Sequence, residues 1–140
     1  MLEFKKLHPD AIVPQRAHGD DAGMDVYTIE DIRIPARGDM ITGLGLACKF
    51  PKGHALLVYN KSGRSTKLKL DKGAEVIDAG YRGEIHVHLF NHSDINVIIK
   101  KGEKIAQLIL VPIWAGQPVE VEELDSTERG DGGFGSSGVK

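Results

Sequence analysis

GAEVIDAGYRGE, residues 73–84, decides how this chain is read. An apolar, partly β-branched run (Ala74, Val76, Ile77) stops at Asp78, turns through Ala79 and Gly80, presents Tyr81 and Arg82, turns again at Gly83 and leaves through the alternating stretch 84–91. The pattern predicts two strands joined as a hairpin with a carboxylate and an aromatic ring at its tip, because Asp bonds its own backbone in turns and Gly accepts positive φ. The same residues also build ordinary turns. The hairpin therefore acquires a chemical meaning only from the segments around it.

Working outward, apolar and β-branched residues recur in short runs broken by Gly, Pro, Asn and Asp, with almost no helical period. Strands are expected at 2–7, 25–28, 32–34, 40–50, 54–59, 85–91, 95–100 and 105–113, with a short extended piece at 11–14. Residues 62–70 are polar and basic and fit a single helical turn with Ser62 near its start. Short strands at this spacing predict an all-β domain, a jelly-roll-like sandwich or barrel. The run 105–113, IAQLILVPI, is nearly continuous in apolar character. A strand of that kind is covered on both faces, either inside a monomer or by a second subunit.

Composition sets limits. The chain has 140 residues, 18 basic and 20 acidic, for a net charge of −2, so no global field recruits nucleic acid or an anionic membrane. No stretch approaches the roughly 20 apolar residues of a membrane span, and MLEFKKLHPD lacks the apolar run of a signal peptide, so a cytoplasmic location is expected. The one cysteine, Cys48, sits in the apolar run LGLACKF and is read as a small buried side chain. From Gly116 the chain loses its apolar runs, gains acids and ends Gly/Ser-rich, a composition that packs no core of its own. Residues 1–115 are thus expected to form the domain and 116–140 an arm, whose stretch from 116 to 128 spans up to roughly 43 Å when extended.

Four further segments carry candidate chemistry. RGDGGFGSSG, residues 129–138, combines glycines, Arg129, Ser136 and Ser137 into what looks like a phosphate cradle around the lone Phe134, yet it lacks the lysine of a P-loop. DDAGMDVY, residues 20–27, gathers Asp20, Asp21 and Asp25 about Gly23. NKSGRSTK, residues 60–67, offers Lys61, Ser62, Gly63 and Arg64 to an anion, and KKGEKIAQL, residues 100–108, buries the amide of Gln107 in an apolar strand where it needs a partner. His86 and His88 fall on one face of their strand, but no third ligand for a metal accompanies them.

Taken in order over essentially the whole chain, DDAGMDVY, NKSGRSTK, GAEVIDAGYRGE, GEKIAQLI and RGDGGFGSSG resemble the trimeric deoxyuridine triphosphatase (dUTPase) family. The resemblance implies a β jelly roll assembled as a homotrimer, with active sites shared between chains and the C-terminal arm reaching a neighbouring subunit. It implies hydrolysis of dUTP to dUMP and pyrophosphate by Mg2+-assisted attack of water on the α-phosphorus. Asp78 matches the carboxylate that deprotonates the water, and Tyr81 the ring that packs on deoxyribose and refuses a 2′-hydroxyl. Lys61, Ser62, Gly63 and Gln107 match the phosphate contacts, Gly73 and Ile77 contacts of the nucleoside, and Asp25 the acid near the metal's water shell. Phe134 and Gly135 would cap the uracil, with Arg129, Ser136 and Ser137 on the terminal phosphates. Magnesium would be held by the triphosphate and water, with no direct protein ligand. The chain departs from the family pattern at Lys61 and Lys104, where arginine is frequent, at Lys72, where many bacterial members carry an asparagine, and at Glu75, where glycine is usual. Two other readings stay open at this point. One is a dCTP deaminase on the same fold, and the other a nucleotide-binding regulatory trimer that works through protein contacts.

Overall fold

The alternation of buried and exposed residues shows why the short runs become strands: Val87, Leu89 and Asn91 turn inward while His86 and Phe90 stay exposed between them. A computed structural model describes residues 1–133. Its elements in chain order are β1 (Glu3–Lys6), β2 (Met24–Tyr27), β3 (Ile32–Ile34), β4 (Asp39–Gly43), β5 (Leu46–Lys49), β6 (His54–Tyr59), α1 (Ser62–Leu68), β7 (Leu70–Lys72), β8 (Val76–Asp78), β9 (His86–Asn91), β10 (Val97–Ile99) and β11 (Lys104–Pro112). A four-stranded sheet in the order β2-β11-β6-β8 packs with a three-stranded sheet β4-β9-β7, and the pairs β1-β5 and β10-β3 complete the sandwich. Among the described residues every ladder is antiparallel and most neighbours are distant in sequence, as the jelly-roll expectation requires. Ile34, Leu44, Leu56, Ile99 and Leu108 are among the fully buried side chains of the one core.

β11 is paired on both edges, to β2 and to β6, with a register shift between Lys104 and Ala106. Ile105, Ala106 and Leu108 are buried, whereas Ile109 and Val111 face outward and are only half-buried. Cys48 is buried as expected, and burial pushes its thiol pKa up.

Three local expectations are corrected. The run 40–50 is two strands, because Leu44 bonds Ile85 and Gly45 takes φ 64, which sends β4 and β5 into different sheets. Residues 62–70 hold more than one turn: α1 runs from Ser62 to Leu68 with Lys61 as N-cap, ends on Lys69 at φ 57, and is followed by β7. The two arms of 73–84 are not a paired hairpin. β8 pairs with β6 and β9 with β4 and β7, so the arms separate into different sheets. The extended piece 11–14 joins no ladder, and beside it a single bridge links Gln15 to Asp25. From Ile113 to Gly133 the chain contains no helix or strand.

Candidate active site

The outward face of the four-stranded sheet carries the polar groups singled out above. Register places Asp25, Gln107 and Tyr59 side by side on β2, β11 and β6. Asp25 is only 4% exposed, and a carboxylate at that depth needs compensation. It receives two cations: Lys61 donates to Oδ1 at 2.5 Å, and the Lys104 ammonium lies 2.7 Å from Oδ2 in an ion pair without hydrogen-bond geometry. Burial works to raise the Asp25 pKa, but the ammonium groups of Lys104 and Lys61 together outweigh it and hold the carboxyl below its ordinary value. The same pairing raises Lys104.

Gln107 finds its partner in the Asn60 carbonyl, to which Nε2 donates at 2.9 Å. Its side chain lies across Gly23, where any Cβ would collide with it, so the glycine of DDAGMDVY leaves the amide its place. Asp21, Gly23, Asp25, Lys61 and Gln107 line a cavity of about 290 Å³. Beyond Lys61 lies a second cavity of about 560 Å³, walled by Arg64, Lys67, Lys104 and Gly63. Arg64 is fixed by bonds from Nε to the Lys104 carbonyl at 2.8 Å and from Nη2 toward Glu103 at 3.4 Å. Ser62 opens α1 at the edge of this basic region, its hydroxyl exposed. The arrangement suits a polyanion, with the cationic groups of Lys61, Arg64, Lys67 and Lys104 gathered beside the acids Asp25 and Glu103.

The second constellation is a slot where β8 and β9 part. Residues Glu75, Val76, Asp78, Tyr81, Glu84 and His86 line a cavity of about 270 Å³ there. The ladder explains what the walls offer. Because Val58 N–H bonds the Glu75 carbonyl, the hydrogen-bonded pairs with β6 are Val58–Glu75 and Leu56–Ile77, which leaves the peptide groups of Val76 and Asp78 turned toward the slot. On the other wall, Leu44 bonds the Ile85 carbonyl, so the N–H and C=O of His86 also point into the gap. Among the described residues, two strand edges thus face one another with no strand between them. A flat ring with its own donors and acceptors fills such a gap as a strand would.

Asp78 and Tyr81 stand at one end of the slot, joined by a bond from Tyr81 N–H to the Asp78 carbonyl at 3.0 Å. The Tyr81 ring folds over Gly83, and its hydroxyl donates to the Glu84 carbonyl at 2.9 Å. Glu84 accepts from Gly45 N–H at 2.7 Å, which occupies its carboxylate. Ile77 turns its side chain to the core and its peptide to β6, so it shapes the slot from behind. Gly73 closes the other end, donating to the His88 carbonyl at 2.8 Å. Lys72 pairs with Glu75 and sits 5.9 Å above the Tyr59 ring.

The slot and the Asp25 cavity share one sheet face but do not meet. Register rows run Asp25–Gln107–Tyr59, then Ile109–Leu57–Val76, then Val111–Ala55–Asp78. Three strand spacings and two rows separate Asp25 from Asp78, roughly 20 Å by sheet geometry. The ground between them is apolar and partly uncovered, with Val76 at 62% exposure and Leu57, Ile109 and Val111 half-buried.

The sequence model of the dUTPase family matches residues 9–138. The chain belongs to the dUTPase family. The deoxyuridine 5'-triphosphate nucleotidohydrolase of Arabidopsis thaliana is 45% identical over 138 residues, covering 99% of this chain and 83% of that protein. Its counterpart in Picosynechococcus is 40% identical over 140 residues, covering 99% of each. Among solved structures, the dUTPase of Staphylococcus bacteriophage 80alpha with dUpNHpp superposes with a TM-score of 0.94 at 32% identity over 99% of both chains. A variant dUTPase from phage phi11 of S. aureus, at 27% identity, TM-score 0.83, and coverage of 90% of this chain and 99% of that one, is described with a coordinated structural Mg(II) ion. The sandwich of this chain is the dUTPase-family fold.

Of the residues expected to act, Asp25, Lys61, Gly63 and Gln107 gather at the polar cavities with Ser62 beside them, while Asp78, Tyr81, Gly73 and Ile77 gather at the slot. Arg129 is exposed in the tail and bonds the Gly132 carbonyl at 2.9 Å. Phe134, Gly135, Ser136 and Ser137 lie outside the described residues. His86 and His88 do share a face, and His88 faces Asp39 while His86 lies near Glu84. Sequence reasoning passed over Lys104 as a partner of Asp25; the available signal was a lysine three residues before Gln107 on a strand that had to pair with DDAGMDVY.

Proposed function

We propose that this dUTPase-family chain hydrolyses dUTP to dUMP and pyrophosphate in a homotrimer, with the slot of one chain working against the Asp25 cavity of another. The observation that carries the reading is the pair of facing strand edges beside Asp78 and Tyr81. Peptide groups of Val76, Asp78 and His86 offer donors and acceptors to the amide edges of uracil, and the base lies flat between them. Tyr81 covers the sugar and leaves no room for a 2′-hydroxyl. Asp78, at the open end, accepts a proton from the water that attacks the α-phosphorus as the bond to the pyrophosphate oxygen breaks. The pyrophosphate leaves toward Lys61, Ser62, Gly63 and Gln107 of the neighbouring chain.

The separation of roughly 20 Å along the sheet between Asp25 and Asp78 is too great for one nucleotide's reacting centre, so a single chain offers two half-sites. The apolar ground between them, Leu57, Val76, Ile109 and Val111, is the surface a second copy covers. Residues 1–115 form the catalytic domain in this reading, and residues 116–140 an arm that brings Arg129, Phe134, Gly135, Ser136 and Ser137 to a neighbour's bound nucleotide.

Magnesium enters with the triphosphate. Among the described residues no group of three His, Cys, Asp or Glu side chains forms a cage, and Asp25, held between the Lys61 and Lys104 ammonium groups, is the buried carboxylate placed to meet metal-bound water. When bound, the ion neutralises charge on the phosphate oxygens.

The test is pyrophosphate release from dUTP, dCTP, dTTP and UTP in parallel with Mg2+, for wild type and Asp78→Asn. Release from dUTP alone, lost in the variant, is expected. Release from dCTP, ammonia formation, or full activity of Asp78→Asn overturns the reading.

A further inference from the structure

We propose that His88 is a positioning residue that sets the opening of the base slot, and with it the discrimination between uracil and its 5-methyl analogue thymine. The inference rests on the dUTP reading and deepens it. The slot begins where the β7–β9 ladder ends, at the bond from Gly73 N–H to the His88 carbonyl, 2.8 Å long. Past this point the two walls diverge, one through Ala74 and Glu75 to Val76, the other back along β9 to His86. Whatever fixes the angle at Gly73 fixes the width available to the ring.

The His88 imidazole lies directly against Gly73, so closely that a Cβ built on Gly73 would overlap Nδ1 and Cγ. The ring has two further neighbours. Nε2 lies 2.8 Å from Asp39 Oδ2 on β4, and the Phe90 ring packs beside it, tilted by 45° at a centroid distance of 4.4 Å. With the Asp39 carboxylate as acceptor, Nε2 carries the proton. The imidazole is thus a wedge backed by Asp39 and Phe90, and Gly73 is the residue type that lets the strand approach it. His88 reaches no nucleotide itself; it acts through Gly73. Rejection of one extra methyl depends on a wall that does not yield, and such a contact is worth on the order of tenfold to a hundredfold.

The experiment measures kcat and KM for dUTP and dTTP in wild type, His88→Ala, Asp39→Asn and Asp39→Leu, and in Gly73→Ala alone and combined with His88→Ala. In His88→Ala the KM for dUTP is expected to rise about tenfold with kcat within about twofold, and the preference for dUTP over dTTP to fall about tenfold. Asp39→Asn keeps an acceptor for Nε2 and should behave as wild type, whereas Asp39→Leu should follow His88→Ala while retaining the histidine, which keeps the test valid if His88→Ala does not fold. Gly73→Ala should be impaired alone and recover in the double variant, since the clash is with the imidazole. The proposal is overturned if the dUTP to dTTP preference is unchanged in the folded His88 and Asp39 variants, or if Gly73→Ala is equally impaired with and without His88. Wild type that releases no pyrophosphate from dUTP overturns the underlying reading instead, and that single control separates the two failures.

Discussion

Replacing Asp25 with asparagine preserves the side chain's shape and removes the charge on which two ammonium groups converge. The side chain is 6% exposed, against 28% for Lys61 and 44% for Lys104. Removing one partner of a fully buried ion pair costs about 3–5 kcal/mol, because the other charge is stranded. An exposed pair is worth about 0–1 kcal/mol. Here the carboxylate is deep and both lysines retain access to water, so the expected loss lies between those limits, about 2 kcal/mol, or a fall in Tm of roughly 5–12 °C. Urea unfolding of wild type, Asp25→Asn, Lys104→Met and the double variant measures it, and the double variant should lose less than the sum because the removed groups are partners.

The pH dependence has a definite sign. Asp25 sits below its ordinary value of 3.8, so its contribution is present above that pH and disappears as pH falls through the lower folded value. The gap between wild type and Asp25→Asn should therefore be full at neutral pH and narrow below pH 3.8. Equal stability at neutral pH, within about 0.5 kcal/mol, would refute the claim that the two lysines are held by this carboxylate.

Two further outcomes are expected. Leu57→Glu places a charge in the apolar ground between the half-sites without touching the core, and sedimentation should show dissociation into folded monomers without activity; an intact active trimer contradicts the proposed interface. Deleting residues 129–140 should leave the thermal transition within a few degrees of wild type while kcat/KM for dUTP falls by about a hundredfold or more, since a Gly/Ser-rich composition supplies no core; loss of the folded state would show that the tail supports the domain.

Much of the sandwich was legible because its strands carry their own signals. Ile32–Ile34 and His54–Tyr59 are read at their observed limits from alternation and flanking turn residues. What stayed hidden depends on partners distant in sequence. Nothing local to Val76 and Ile77 says that they pair with Leu57 and Leu56 and not with the strand that follows Tyr81, so the slot looked like a hairpin. Gly45 is one glycine among 17, and only the bonds between Leu44, Leu46 and Ile85 reveal that the strand breaks there. The candidate residues were legible as chemical types, Asp78 beside Tyr81 and Gln107 in an apolar strand. Their separation into two clusters on one sheet face required the register of β11 against β2 and β6. The wedge of His88 against Gly73 was equally invisible, because it joins β9 to the end of β7 across the sheet.

Subunit mixing tests most directly the claim that the slot of one chain serves the phosphate side of another. Asp78→Asn and an Asp25→Asn/Gln107→Leu variant, each inactive alone, would be unfolded together in urea, refolded at equal concentration and assayed for pyrophosphate release from dUTP. Sites that combine an intact slot with an intact Asp25 cavity should form by random assortment and restore about a quarter of wild-type activity. A mixture of well-exchanged trimers with no activity above that of the separate variants would contradict the account, because both half-sites would then have to come from the same chain.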